Sequence, residues 1–265
     1  MTGKYTALVT GASTGIGATY ADRLARRGHN LVLVARNAAR MVALADGFRH
    51  DYGIAVEVLR ADLTDTADLA GVEARLRDDA GIGMLVNNAG AGLGGSFLTQ
   101  SPDDLARLVA LNVTAPMRLA SAAAPRMAAA GNGAIVNIGS VVGLAPEFGM
   151  AVYGGTKAFI LHLSQSLALE LEPRGVRVQA VLPAATRTEL WGRAGIDIAR
   201  LDGVMEVGEL VDAALTGFDR GETVTIPPLP KAAQWEAMEA ARQAMLPNLR
   251  QRHAAARYHA AASAA

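Results

Sequence analysis

The chain has 265 residues, 51% hydrophobic and 19% charged, which is enough apolar material for one large α/β core and too little charge for disorder. Its 25 basic and 25 acidic side chains balance, so no electrostatic footprint for nucleic acid or an anionic membrane is expected. It has no cysteine, which excludes disulfides, thiolate metal sites and a cysteine nucleophile. No apolar run is long enough to span a bilayer, and strand-like sequence begins within a few residues of Met1. A membrane partner and a signal peptide are therefore not expected, and the protein reads as cytoplasmic.

Residues 5–10 (YTALVT) are an apolar run of strand formers closed by Gly11. A glycine-rich turn follows, then helical spacing from Ala18 that stops at Gly28. Residues 31–36 (LVLVAR) form an unbroken apolar strand of the kind buried on both faces of a parallel sheet. Such a strand–helix–strand opening predicts a right-handed crossover. Further strands are expected at 55–63, 84–90, 134–140 and 176–183. Residues 102–131 read as one long helix or two broken at Pro116 and Pro125, and 153–171 as another helix. The alternation predicts a doubly wound parallel sheet, a Rossmann-type three-layer α/β/α sandwich with ligands at the carboxyl ends of its strands. Residues 231–265 differ: they are alanine-rich, with Trp235, Met238, Met245 and Leu249 at helical spacing. They predict a short helical C-terminal extension lying against the body or a partner subunit, beyond a single nucleotide-binding and catalytic domain at 1–230.

The turn TGASTGIG sets Gly11, Gly15 and Gly17 between the first strand and the first helix. Glycines permit a tight turn and close backbone approach, and a helix N-terminus offers N–H groups and a positive dipole end to a pyrophosphate. The spacing is neither G-x-G-x-x-G nor a P-loop, so taken alone the turn leaves a purely structural role open.

Three features in order carry a resemblance: TGASTGIG at 10–17, NNAG at 87–90, and Ser140 followed by Tyr153-x-x-x-Lys157. Together they resemble the short-chain dehydrogenase/reductase family, from about residue 4 to residue 190 and more loosely to about 228. The resemblance implies hydride transfer between NAD(H) or NADP(H) and a carbonyl/secondary alcohol pair. It also implies a homodimer or homotetramer, with 102–130 and 153–171 as the packing faces. Cofactor contacts are expected from Gly11, Ser13, Thr14, Gly15, Ile16 and Gly17, from Asn88, Ala89 and Gly90, from Tyr153 and Lys157, and from Pro183 and Thr188.

The second strand ends Val34-Ala35-Arg36-Asn37, without the carboxylate that would take a ribose 2′-hydroxyl. Arg36 suits a 2′-phosphate, with Arg40 as a second charge, so NADP(H) is favoured and NAD(H) is the alternative. The pattern is incomplete, since Thr14 stands where NADP-preferring relatives often carry a basic residue, and Arg36 also fits a surface arginine stacked on the adenine. Asp62, with Leu63 beside it, resembles the family's adenine-contacting acid; it also suits a cap for the next helix.

Tyr153 and Lys157 share one helix face a turn apart. A neighbouring ammonium lowers a phenol pKa, which predicts Tyr153 as the general acid/base assisted by Lys157. Ser140 ends a strand and is positioned to donate to a carbonyl oxygen, although a serine there also serves as a turn cap. Asn112, in LNVTA, matches the family's helix asparagine that holds a water in a proton relay. The five histidines, His29, His50, His162, His253 and His259, have no paired metal spacing, so no metal is expected.

After the last strand the family has Pro-Gly-x-x-x-Thr, whereas this chain has Pro183-Ala184-Ala185-Thr186-Arg187-Thr188. Alanine at 184 excludes or strains a positive φ. Pocket walls are expected at 92–95, at 141–150 and beyond Thr188 with Leu190 and Trp191, mostly apolar, which suggests an apolar ketone or secondary alcohol. Two other readings share the fold: a nicotinamide-dependent epimerase or dehydratase, and a non-catalytic nucleotide-binding scaffold.

Overall fold

The structure, a computed structural model, describes residues 5–189, 197–198, 201 and 203–258. Strands β1 (Thr6–Thr10), β2 (Asn30–Ala35), β3 (Val56–Arg60), β4 (Ile82–Asn87), β5 (Gly133–Ile138), β6 (Val176–Val181) and β7 (Val224–Thr225) form one sheet in the order β3-β2-β1-β4-β5-β6-β7. Every pairing is parallel. The helices are α1 (Gly15–Arg26), α2 (Ala38–Tyr52), α3 (Thr66–Asp78), α4 (Pro102–Val109), α5 (Ala115–Ala130), α6 (Ala151–Leu171), α7 (Val207–Asp219) and α8 (Ala232–Met245). The order reverses between β1 and β4, which opens a crevice at the carboxyl ends of the strands.

Two apolar layers follow from the strand sequences, which in β1, β2, β4, β5 and β6 are buried on both faces. On one, Tyr20 and Leu24 of α1, Met41 and Phe48 of α2, and Val211 and Phe218 of α7 meet the sheet. On the other, Leu69 and Leu76 of α3, Leu119 and Met127 of α5, and Leu171 of α6 do so. This is the three-layer sandwich expected of the sequence.

Several helix boundaries differ from the sequence expectations. The break in 102–131 falls at a π-helical turn, Ala110–Thr114, and α5 then begins with Pro116 in its first turn. Pro125 does not break α5. Both Pro125 and Ser121, whose carbonyl loses its i+4 donor, lie on the exposed side, where water serves that carbonyl. The cap of α3 is Asp65, whose carboxylate accepts from the N–H groups of Ala67 and Asp68 at 2.9 Å, so Asp62 is not the cap.

The chain after β6 is tied at two points. The Arg187 N–H donates to the Met205 carbonyl and the Met205 N–H to the Ala185 carbonyl, each at 2.9 Å, making a parallel bridge at Thr186 and Met205. Arg187 also pairs with Glu206 at 2.7 Å.

Residues 1–228 form one compact unit and 229–265 a second. The second unit holds α8, whose side chains are exposed or half-buried, among them Met238 and Met245. Among the described residues, no helix is long and apolar enough to cross a membrane. His259 lies outside them.

Candidate active site

A cavity of about 950 Å³ lies along the carboxyl ends of the strands. At its middle is the turn from β1 into α1. Gly15 has φ of +56°, a left-handed backbone that glycine adopts without cost. A Cβ on Gly17 would stand 2.4 Å from both the Gly11 carbonyl oxygen and Asn88 Nδ2. The first turn of α1 carries no acidic residue and no side-chain cap, so its N–H groups face the cavity unengaged by any side chain. Gly17→Ala is therefore expected to cost about 2 kcal/mol in thermal unfolding and to weaken nucleotide binding; an unchanged Tm would show that the turn relaxes.

Thr10 anchors the neighbouring loop, a role unassigned from the sequence. Its hydroxyl donates to the Val86 carbonyl at 3.2 Å and accepts from the N–H groups of Asn88 and Ala89 at 3.0 Å. Asn88 returns a bond from Nδ2 to the Thr10 carbonyl at 2.8 Å. The N-A-G end of that motif is thereby held against the glycine turn.

One end of the cavity is cationic. Asn37 Oδ1 accepts the Arg40 N–H at 3.1 Å and caps α2, which sets Arg36 and Arg40 at the edge. The Arg40 guanidinium is paired with Glu189, at 2.8 Å. Arg36 lies 3.9 Å from Asp62 and its side chain is 70% exposed. Burial acts to raise the Asp62 carboxyl, but bonds from the Thr64 N–H and hydroxyl, with the charges of Arg36 and Arg60, hold it below the usual range.

At the other end stand Ser140, Tyr153 and Lys157. Ser140 lies just past β5 and is buried; its hydroxyl donates to the Pro183 carbonyl at 3.2 Å and accepts from the Val142 N–H at 3.4 Å. It thus caps a turn and faces the cavity at once. Burial pushes the Tyr153 phenol above the ordinary tyrosine value, and a hydrogen bond with Ser140 offsets part of the rise. Lys157 Nζ is buried, donates to the Ile138 carbonyl at 2.9 Å and lies 5.7 Å from the Tyr153 ring centroid. Burial lowers its ammonium to about 8. The phenol as a whole is therefore raised and not lowered as the spacing predicts, because burial outweighs the Lys157 ammonium, which the Ile138 carbonyl engages.

Asn112 does not line the cavity; it is buried behind it. Its Nδ2 donates to the Ala91 carbonyl at 2.9 Å and the Thr156 hydroxyl at 3.2 Å, while its Oδ1 accepts the Ala91 N–H at 3.0 Å. The side chain is therefore engaged by protein. Asn112 itself lies in the π-helical turn Ala110–Thr114, just before Pro116.

The other residues expected at the cofactor, namely Gly11, Ser13, Thr14, Ile16, Leu63, Ala89, Gly90, Pro183 and Thr188, line the cavity; Gly17 sits beneath the turn. No described residue other than glycine has a positive φ, so Ala184 is unstrained. The apolar walls differ in part from expectation. Val141, Val142, Phe148 and Met150 contribute, but 92–95 do not, since Gln100 Nε2 gathers the carbonyls of Gly94 and Gly95 at 3.1 and 3.2 Å. Leu111, Ala185, Leu201 and Gly203 line it too, without any motif in the sequence to mark them. Leu190 and Trp191 lie outside the described residues.

The family model for short chain dehydrogenase matches residues 5–198. The chain belongs to the short-chain dehydrogenase/reductase family, a family of oxidoreductases. Among solved structures it is similar to a short-chain dehydrogenase from Sphingobium yanoikuyae in complex with NADPH, 64% identical, with 96% of this chain and all of that one covered and a TM-score of 0.95. It is also similar to the bulky-bulky ketone specific alcohol dehydrogenase from Comamonas testosteroni, 58% identical, covering 96% and 98% of the two chains, TM-score 0.90. A very-long-chain 3-oxoacyl-CoA reductase from Podospora anserina is 37% identical over 69% of this chain, and the match spans 55% of that protein.

Proposed function

We propose that the protein interconverts a ketone carrying bulky apolar groups and its secondary alcohol, with NADP(H) as the hydride carrier. The observation that carries this reading is a single cavity joining Arg36 to the Ser140, Tyr153 and Lys157 side chains. The bound NADPH of the Sphingobium yanoikuyae relative and the bulky-ketone specificity of the Comamonas testosteroni one support it. The chain spans about half the length of the curated acyl-CoA reductases it matches, and these bear less on the substrate.

The residues present fit a nicotinamide dinucleotide phosphate. The α1 N-terminus suits its pyrophosphate, a Cβ-free approach exists at Gly15, and Arg36 suits a 2′-phosphate. When bound, this cofactor supplies or accepts the hydride. Tyr153, protonated near neutral pH because burial raises its phenol, gives a proton to the ketone oxygen. Ser140 turns its hydroxyl from the Pro183 carbonyl to that oxygen and polarises it. Lys157, below about pH 8 an ammonium, keeps a positive charge beneath the phenol and favours its deprotonated form after transfer. By the family resemblance, Asn112 would hold a water through which Tyr153 regains its proton. Leu111, Val142, Phe148, Met150 and Leu201 exclude water around the apolar flanks of the substrate.

Titration with NADPH and NADH, followed by cofactor fluorescence, tests the reading. NADPH is expected to bind more tightly, and Arg36→Ala to weaken NADPH about ten- to a hundredfold with NADH changed less than about threefold. Equal losses for both cofactors would remove the 2′-phosphate role from Arg36. Binding of neither by the wild type would end the oxidoreductase mechanism.

A further inference from the structure

Two arginines stand near acids at the cationic end of the cavity, and the two pairs are unlike. Arg36 Nη1 lies 3.9 Å from Asp62 Oδ2, beyond hydrogen-bond length, while Asp62 Oδ1 is engaged by the N–H and hydroxyl of Thr64 at 3.0 and 2.7 Å. Arg40 Nη1, by contrast, sits 2.9 and 2.8 Å from the two carboxylate oxygens of Glu189. Glu189 arrives from the opposite side of the crevice, 149 residues on, directly after Thr188, whose Cγ2 lies 3.1 Å from where a Gly15 Cβ would be. The pair therefore bridges the start of α2 and the stretch after β6, across the nucleotide end. Arg40 cannot swing freely at its root, because Asn37 holds its backbone N–H. No acid stands in the first turn of α2 itself.

We propose that Glu189 is a specificity-determining residue, whose carboxylate competes with the 2′-phosphate of NADP(H) for the Arg40 guanidinium. This rests on the NADP(H) reading above. A phosphate brings more charge and more acceptor oxygens than a carboxylate, so it displaces Glu189 from Arg40 when it binds. The exchange takes back part of what the new contact gives. A 2′-hydroxyl carries no charge and leaves the Arg40–Glu189 pair in place. Glu189 therefore opposes NADPH and is indifferent to NADH, and it narrows the preference that Arg36 creates. Both side chains are about half exposed, 48% and 51%, which leaves the pair weak enough to exchange.

The test is a set of NADPH and NADH titrations on the full-length wild type, Glu189→Gln, Arg40→Ala and the double variant. Glu189→Gln is expected to tighten NADPH about three- to tenfold and to change NADH less than about twofold. In the Arg40→Ala background the same substitution is expected to change neither cofactor. An unchanged or weakened NADPH affinity in Glu189→Gln overturns the proposal, as does a parallel shift of both cofactors. Tightening that survives in Arg40→Ala also overturns it, because the effect would then be a general field and not competition for one guanidinium. A wild type that binds neither nucleotide overturns the NADP(H) reading itself, and a wild type that binds NADPH while the variants fail the pattern overturns only the role of Glu189.

Discussion

Replacing Tyr153 with phenylalanine is expected to lower kcat by about a hundred- to ten-thousandfold in both directions, with NADPH affinity kept within about threefold. The substitution removes one hydroxyl and leaves the ring in the wall of the cavity, so the fold and the glycine turn are untouched. What disappears is the group that burial keeps protonated and that bonds to Ser140. The same direction of shift sets the pH dependence. Ketone reduction uses the protonated phenol and is expected to be level through neutral pH. Alcohol oxidation needs the phenolate and is expected to rise with pH. Steady-state rates with an aryl or branched ketone and its alcohol check both. A variant within about tenfold of wild type would take proton transfer away from Tyr153.

Lys157→Met is expected to abolish turnover and yet to stabilise the protein, by about 1–2 kcal/mol at pH 7. The Lys157 ammonium falls from 10.5 to about 8 on burial, a cost on the order of 3 kcal/mol at neutral pH, against about 1 kcal/mol for the bond to Ile138 that the variant loses. A lysine whose folded value is depressed gives up its proton earlier in the folded state than in the unfolded chain. The penalty is therefore full below about pH 8 and vanishes as pH rises towards 10.5, so wild-type stability climbs across that window. Thermal unfolding of both proteins between pH 7 and 10 checks the sign, since the advantage of the variant should shrink with rising pH. An advantage that stays constant would mean that the ammonium is not the source of the cost.

Much of this site was legible in the sequence, for local reasons. A glycine turn between a strand and a helix, a tyrosine and a lysine four apart, and a serine at a strand end each declare their geometry within a few residues. The parallel order of the sheet followed from unbroken apolar strands separated by helical spacing. The features that were not legible are long-range or depend on neighbours. The Arg40–Glu189 pair joins positions far apart in the chain, and Arg40 alone read simply as a second phosphate contact. Asp62 and Asp65 are equally good caps on paper; the turn that Asp62 makes with Thr64 decides between them. Whether Pro125 breaks the helix stayed open in the sequence, because propensity carries no record of which side of a helix meets water. The phenol of Tyr153 read as lowered by its lysine, since spacing along a helix says nothing about burial or about the Ile138 carbonyl that claims the ammonium.

The bridge between Thr186 and Met205, with the Arg187–Glu206 pair beside it, closes the base of the stretch between them. None of the groups assigned to proton movement is on that stretch, yet Leu201 and Gly203 on it form part of the apolar wall. A closed base fixes the two points at which the stretch leaves and rejoins the domain. Doubling its length costs about 0.6 kcal/mol of closure entropy, a small fraction of the stability of a domain this size. Substitutions at Leu201 and Gly203 can therefore alter which substrates are admitted while the groups proposed for proton movement, past the end of β5 and on α6, stay where they are.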